Sequence, residues 1–403
     1  MKAILVSFID STNIGDRLIA EVLSKELLTG IETRKFSYKL LEDSQIQLDK
    51  NLVRRSEVHN IYYKYFRQLP FVKNLVSHNK WLKSRKKMYD PESIQRFEEA
   101  LKQTDLLVIG GGNAIFDLSP VTLSAQRFDQ VVTLAKQYQV PIFVSSIGIG
   151  PFCTEKQKQA AVETLKKCDY ITFRDYRSWQ YMNGSHHPAV YPSVDPVFLL
   201  PAEKSFEQLK AQRDGFQRIG ICVIDYRITG CSQKEYLRYL KDLTALILRL
   251  VDQQREIILF SSEVQDYETI ETIYSEFQRQ PQVKLVPIKD KEELLTLYQT
   301  LNLVIGTRMH SMIVAVSQYI PIIGLSWQQK VVEMFKNLSI ENDVFPIEEL
   351  HVNTELLIKK VDERLDNNQQ MINQVKQAKE DMKSAFTINY QIMKTIQNSL
   401  TDL

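Results

Sequence analysis

The chain has 403 residues, 44% of them hydrophobic, and its 51 Lys/Arg against 49 Asp/Glu leave a net charge of +2. This is too much core for one ordinary domain and suits two of about 150–200 residues, while near-neutrality excludes a protein that coats nucleic acid or scaffolds by bulk acidity. The four cysteines (Cys153, Cys168, Cys222, Cys231) show no C-x-x-C pairing, and no Cys/His cluster has zinc spacing, so we expect reduced thiols and no metal site.

Short apolar runs alternate with longer amphipathic ones, the pattern of a parallel α/β architecture. Strands are predicted at 2–8, 105–112, 141–150, 170–174 and 189–195, with helices at 16–28, 119–138, 155–167 and 175–182 between them. A second set of strands falls at 218–225, 256–262, 283–288, 301–306 and 321–326, with helices around 233–253, 265–279 and 290–299. The polar stretch 195–218 reads as the linker. The expected fold is two Rossmann-like domains facing a central cleft: residues 1–200 with a basic helical insertion about 45–100, then 201–375, then a helix over 376–403 that packs back across both. In such sheets ligands bind at the carboxyl ends of strands. The acidic residues that follow MKAILVSFI argue against a signal peptide, and no apolar run approaches the length of a membrane span.

Residues 54–87 break the pattern, with ten Lys/Arg, the single acid Glu57, and interleaved aromatics such as Tyr62, Tyr63 and Trp81. A solvated basic face accounts for them, and so does a segment that meets anionic lipid or a lipid-linked pyrophosphate. No nucleic-acid recognition motif accompanies the charge.

Four strand-end loops carry polar residues or glycines that a plain turn does not need. In the first, Asn13, Gly15 and Asp16 lie where strand one passes into helix one; Gly15 permits a tight turn, the helix amides suit an anion, and Asp16 could instead be only a cap. In the second, Gly110, Gly111 and Gly112 precede Asn113 and leave backbone open to a ligand. The third is SSIGIGPF (145–152) and the fourth GTRMHSM (306–312), which sets a fixed cation, Arg308, beside a titratable imidazole, His310. Arg174 ends a predicted strand, where it needs either an acid such as Asp195 or a ligand. Lys330 opens a helix that points toward the same cleft, and His186-His187 reads as a surface loop.

Taken together, N-x-G-D (13–16), GGGN (110–113), SIGIGP (146–151), RDYRS (174–178), the Asp195-Pro196 pair and GTRMHS (306–311) resemble the polysaccharide pyruvyl transferase family. That resemblance implies a glycosyltransferase-B-like fold and transfer of the enolpyruvyl group of phosphoenolpyruvate to two hydroxyls of a sugar, closing a cyclic ketal. The setting it implies is assembly of a bacterial capsule, exopolysaccharide or cell-wall polymer. Phosphoenolpyruvate then serves as co-substrate with no further cofactor. It binds Arg308, Arg174, Lys330 and Ser311, with His310 as acid and Asp16 as base. Asn13, Gly15, Gly111, Gly112, Asn113 and Asp195 lie toward the acceptor, which is free, polymeric or lipid-diphosphate-linked. Such a protein works in the cytoplasm, with a peripheral contact through 54–87 at the inner face of the membrane. Two rivals remain at this level: a nucleotide-sugar glycosyltransferase of the same fold and a non-catalytic scaffold of polysaccharide assembly.

Overall fold

The computed structural model describes residues 1–46, 90–117, 119–120, 122–203, 217–253, 255–366 and 368–401. The basic segment 54–87 and its membrane reading lie outside these residues.

Two parallel sheets organise the chain. The first contains β1 (Lys2–Val6), β2 (Glu32–Phe36), β3 (Leu106–Gly110), β5 (Ile142–Ile149), β6 (Tyr170–Phe173) and β7 (Val190–Pro192) in the order β2-β1-β3-β5-β6-β7, with the short β4 (Asn113–Ile115) joined to β5. The second runs β10-β9-β8-β11-β12-β13, from β8 (Arg218–Cys222), β9 (Glu256–Phe260), β10 (Val283–Leu285), β11 (Leu303–Gly306), β12 (Ile322–Ser326) and β13 (Val344–Pro346). Central strands such as LLVIG (106–110) and EIILF (256–260) are buried along their whole length. Helices cover both faces of a parallel sheet, so its inner strands read as continuous apolar runs rather than alternating ones. The sequence pattern missed β2, β13 and the three-residue β4, which lies in a stretch read as a strand-end loop. The charged ETRKF of β2 forms an edge strand with only Phe36 fully buried, and β13 has three residues, too few for a period.

The helices are α1 (Ile14–Val22), α2 (Pro91–Leu101), α3 (Ser124–Gln137), α4 (Glu155–Leu165), α5 (Tyr176–Gln180) and α6 (Gln233–Asp252), followed by α7 (Tyr267–Tyr274), α8 (Lys291–Tyr298), α9 (Met309–Ser317), α10 (Gln329–Asn337), α11 (Leu350–Asp366) and α12 (Asn368–Thr401). Among the described residues no helix is long and apolar enough to cross a membrane. Strand order reverses between β1 and β3 in the first sheet and between β8 and β11 in the second. Crevices open at such reversals, outside the carboxyl ends of the strands. The loop after β1 and the loop after β11 therefore stand at the two crevices, and they face each other.

The stretch after Asp195 differs from a loose linker at its start. Asp195 caps a short turn over Pro196–Leu199, whose side chains are all buried. This turn packs against α1, α9 and α12, because the apolar run PVFLL gains more from burial than from water.

Helix α12 touches both halves. The ammonium of Lys379, buried to 2% exposure, donates to the Leu200 and Ser317 carbonyls at 3.0 and 2.6 Å. Further along, Asn389 accepts from Ser145 Oγ and Thr172 Oγ1 at 3.0 and 2.7 Å and donates to Ser193 Oγ at 2.7 Å, all in the first half. Burial pulls the Lys379 ammonium down to about 8, so its carbonyl partners are what keep it tolerable in the interior. Replacing it by Met strands both carbonyls. Lys379→Met is expected to cost about 1–3 kcal/mol in urea unfolding, whereas Lys383→Met, on the exposed face of the same helix, changes stability by less than about 0.5 kcal/mol.

Candidate active site

Helix α1 begins at the first crevice. Its cap is Asn13, whose Oδ1 accepts from the Gly15 amide at 2.9 Å, so Asp16 lies inside the first turn rather than capping it. The chain here docks onto the loop after β9: Asn13 bridges Glu263, and the Ile14 amide donates to the Ser262 carbonyl at 2.9 Å. The expected anion-binding amides of Ile14 and Gly15 are thus already engaged. Gly15 has a different reason to be glycine. A Cβ there would sit 2.3 Å from Cβ of His310 and 2.7 Å from its Nδ1, so only a bare backbone lets the imidazole of α9 lie against α1.

His310 is consequently held between two carboxylates. Its Nδ1 lies 3.4 Å from Asp16 Oδ1, and its Nε2 lies 3.4 Å from Asp195 Oδ2. Nε2 is buried and makes no aligned hydrogen bond with a described residue. Asp16 is steadied on its other oxygen by Ser11 Oγ at 3.2 Å. Asp195 accepts from Arg174 Nη1 at 2.6 Å and from the Val197 amide at 3.1 Å. Burial disfavours its charge, yet His310, Arg174 and that amide together hold its carboxyl well below the usual range. Arg174 thus takes the acid that the sequence named as one alternative. Its Nε and Nη2 lie over Gly148, at 2.9 and 3.2 Å from where a Cβ would be, and Asn113 Oδ1 is at 3.0 Å from the same point.

Arg308 meets an acid that the sequence did not single out. Its Nε and Nη2 donate side-on to Asp266 at 2.9 and 2.6 Å. Asp266 is fully buried and also accepts from Ser261 Oγ at 2.6 Å and the Asp225 amide at 2.8 Å. Burial opposes the charge on Arg308, but Asp266 outweighs it and raises the guanidinium above its ordinary range. The Nη1 end carries no hydrogen bond to a described residue. Lys330, on the first turn of α10, has no ion pair or hydrogen bond among the described residues. Desolvation, assisted by Arg174, takes its ammonium down to about 8. Lys330, Arg174, Asp175 and Asp195 line an open pocket that Met309 and Met382 also border.

Other expected site residues have different duties. The hydroxyl of Ser311 donates to the Arg308 carbonyl at 2.6 Å inside the turn, so it is occupied with shaping the loop rather than facing the pocket. The space in front of the three glycines is filled rather than open: a Cβ on Gly110, Gly111 or Gly112 would strike Leu23, Ile19 or Phe8 at 2.2, 1.9 and 2.8 Å. Gly111 and Gly112 also have positive φ, at 64° and 70°, which a side chain would strain. Asn113 Nδ2 donates to the Gly150 carbonyl at 2.9 Å and so fixes the SIGIGP loop. Close packing therefore explains all three glycines. Among the described residues no group of three or more His, Cys, Asp or Glu side chains could hold a metal ion.

Two parallel α/β halves with a cationic cleft between their strand ends define a glycosyltransferase-B-like protein. Solved structures agree on the fold: Anabaena HepE, in complex with UDP and glucose, superposes with a TM-score of 0.55 at 11% identity over 98% of this chain and 99% of that one. The UDP-GlcNAc 2-epimerase from Neisseria meningitidis, bound to UDP-GlcNAc, gives 0.53 at 12% identity over 98% and 100%. The family model for polysaccharide pyruvyl transferase matches residues 13–329, and the chain belongs to that family. A similar curated protein, the amylovoran biosynthesis protein AmsJ of Erwinia amylovora, is 25% identical over 309 residues, 72% of each chain.

The packing of Gly15 on His310 predicts a coupled pair. Gly15→Ala is expected to lower stability by about 1–3 kcal/mol by overpacking. Most of that loss should vanish when position 310 is also Gly, a non-additivity that a double-mutant cycle in urea measures directly.

Proposed function

We propose that the protein transfers the enolpyruvyl group of phosphoenolpyruvate to two hydroxyls of one sugar, forming a cyclic ketal during assembly of an exopolysaccharide, capsule or wall polymer. The observation that carries this reading is a pocket lined by Arg174 and by Lys330, an ammonium without a partner among the described residues, with His310 joined to Arg174 through Asp195 and the Arg308 guanidinium within electrostatic range of Lys330. A substrate with both a carboxylate and a phosphate calls for such a set, since planar guanidinium groups bind either anion bidentately. Membership of the family and the similarity to an exopolysaccharide biosynthesis protein support the same reading. The UDP ligands of the structural relatives speak only of those proteins, because fold does not carry substrate.

In this mechanism the free end of Arg308, with Arg174 and Lys330, holds the two anionic groups. His310 gives its proton to the methylene carbon, and the adjacent carbon becomes an oxocarbenium-like centre. One sugar hydroxyl adds there and passes its proton to Asp16, 3.4 Å from His310 Nδ1. Phosphate then departs with the electron pair of its C–O bond, and the second hydroxyl adds to the carbon it leaves, closing the ketal and giving its proton to the released phosphate. No additional cofactor enters. Asp195 keeps Arg174 and the Nε2 side of His310 in place throughout. The acceptor is a sugar on a polymer precursor, free or carried by a lipid diphosphate, and we place the reaction on the cytoplasmic side, where phosphoenolpyruvate is made.

Removal of an acid catalyst costs about 10²–10⁴ in rate. His310→Ala is therefore expected to lower acceptor-dependent phosphate release from phosphoenolpyruvate by at least about 100-fold; a folded variant with near-wild-type release would refute the assignment. The Lys330 ammonium gives a pH signature. Its protonated form binds phosphate, so kcat/KM for phosphoenolpyruvate should be level below pH of about 8 and fall above it. Lys330→Arg, charged throughout this range, should remove that break; a profile unchanged by the substitution would take Lys330 out of the phosphate site.

A further inference from the structure

Next to the residues that line the pocket stand features that donor binding does not use. Tyr176, the first residue of α5, is 61% exposed, and its ring stacks on that of Trp179 with centroids 5.5 Å apart and planes 28° from parallel. One face is therefore covered and the other is open to water. An exposed aromatic side chain stacked on one face in this way contributes little to the core, and its free face is an apolar plate. Tyr176 directly follows Asp175, which lines the pocket beside Arg174.

Helix α10 supplies the facing wall. Lys330, Met334 and Asn337 line the pocket, and Glu333 occupies the same helical face. Oε2 of Glu333 is buried and has no hydrogen-bond partner among the described residues. Its electrostatic neighbours are Asp175 and Arg177 on the first half and Lys336 on its own helix. A buried carboxylate oxygen without a donor is unfavourable, and a hydroxyl delivered from outside would correct it. Asp175 uses Oδ1 on the Ser178 amide at 2.8 Å, and its Oδ2 is 3.9 Å from Arg174 Nε, too far for a hydrogen bond.

A flat apolar plate, one buried carboxylate oxygen without a donor, a second carboxylate beyond hydrogen-bond reach of Arg174 and the exposed amide of Asn337 match one class of ligand. A pyranose ring presents C–H groups on one face and hydroxyl donors around its edge. We infer that the gap between the start of α5 and the polar face of α10 is the subsite for the acceptor hexopyranose, with Tyr176 under the ring and Glu333, Asp175 and Asn337 on its hydroxyls. This rests on the pyruvyl-transfer reading for the identity of the ligand as acceptor. It sets the sugar against the anion pocket, since Asp175 and Arg174 are adjacent in the chain. Tyr176 and Glu333 act in binding and take no part in proton transfer.

The test uses the full-length protein with saturating phosphoenolpyruvate and a set of p-nitrophenyl hexopyranosides: galactoside, glucoside, mannoside and N-acetylglucosaminide. Saturation-transfer NMR reads contact with the pyranose C–H protons. At least one glycoside should give signal with wild type and with Tyr176→Phe. Its affinity should weaken by about three- to tenfold in Tyr176→Ala and in Glu333→Gln, the scale of one aromatic contact or one hydrogen bond. The thermal shift produced by phosphoenolpyruvate should stay at the wild-type value in both variants, which shows that they fold and keep the donor site. Unchanged affinity in Tyr176→Ala and Glu333→Gln would overturn the subsite, as would silence of every glycoside with wild type. A glycoside that binds through Tyr176 while the protein neither binds nor consumes phosphoenolpyruvate would overturn the pyruvyl-transfer reading and leave the sugar subsite standing.

Discussion

The contact between the backbone of Gly15 and the imidazole of His310 sets the spacing of the whole cleft. It joins the helix that begins at one sheet's reversal to the helix that begins at the other's, with no side chain between them. From it the remaining geometry follows: Asp16 reaches one ring nitrogen, Asp195 the other, and Arg174 is drawn in through Asp195. A larger residue at position 15 would move the imidazole and disturb every member of that chain. Backbone bridging of Asn13 with Glu263 fixes the same approach from the side.

The cations of the site are held before any ligand arrives. Arg174 is paired with Asp195 and Arg308 with Asp266, in places where an unpaired charge would be costly. Pairing restricts the guanidinium groups to one orientation, so little ordering remains for a substrate to impose. It also lowers their net attraction for an anion. In the proposed pyruvyl transfer Lys330 would restore that attraction, since it has no protein partner among the described residues and burial destabilises its ammonium. The site thus divides orientation and charge between different side chains.

The α/β alternation and the two-part organisation were legible because buried parallel strands are continuous apolar runs and their helices are amphipathic. Strands without that signature, the charged edge β2 and the three-residue β13, were not. At the site, residues with unusual chemistry for their position could be found: an arginine and a histidine in a strand-end turn, an arginine closing a buried strand. Asp266 could not, since an aspartate after a strand is common and only the fold brings it to Arg308. Glycine was misleading for a physical reason. A bare backbone is required both where a ligand approaches and where a side chain does, and at Gly110 to Gly112 it is Leu23, Ile19 and Phe8 that approach. Ser311 misled likewise, because a hydroxyl in a turn serves its own backbone as readily as a substrate.

Helix α12 has a consequence for how the protein comes into being. Lys379 fastens it to Leu200 and to Ser317 of the second half, Asn389 fastens it to the first, and both residues follow every strand of both sheets in chain order. During synthesis the first half and then the second can each complete a core as they emerge. The contacts of Gly15 with His310 and of Asn13 with Glu263 involve only residues made before α12, which then adds its own ties to both halves. The last helix to be made therefore locks a cleft whose spacing earlier residues have already set.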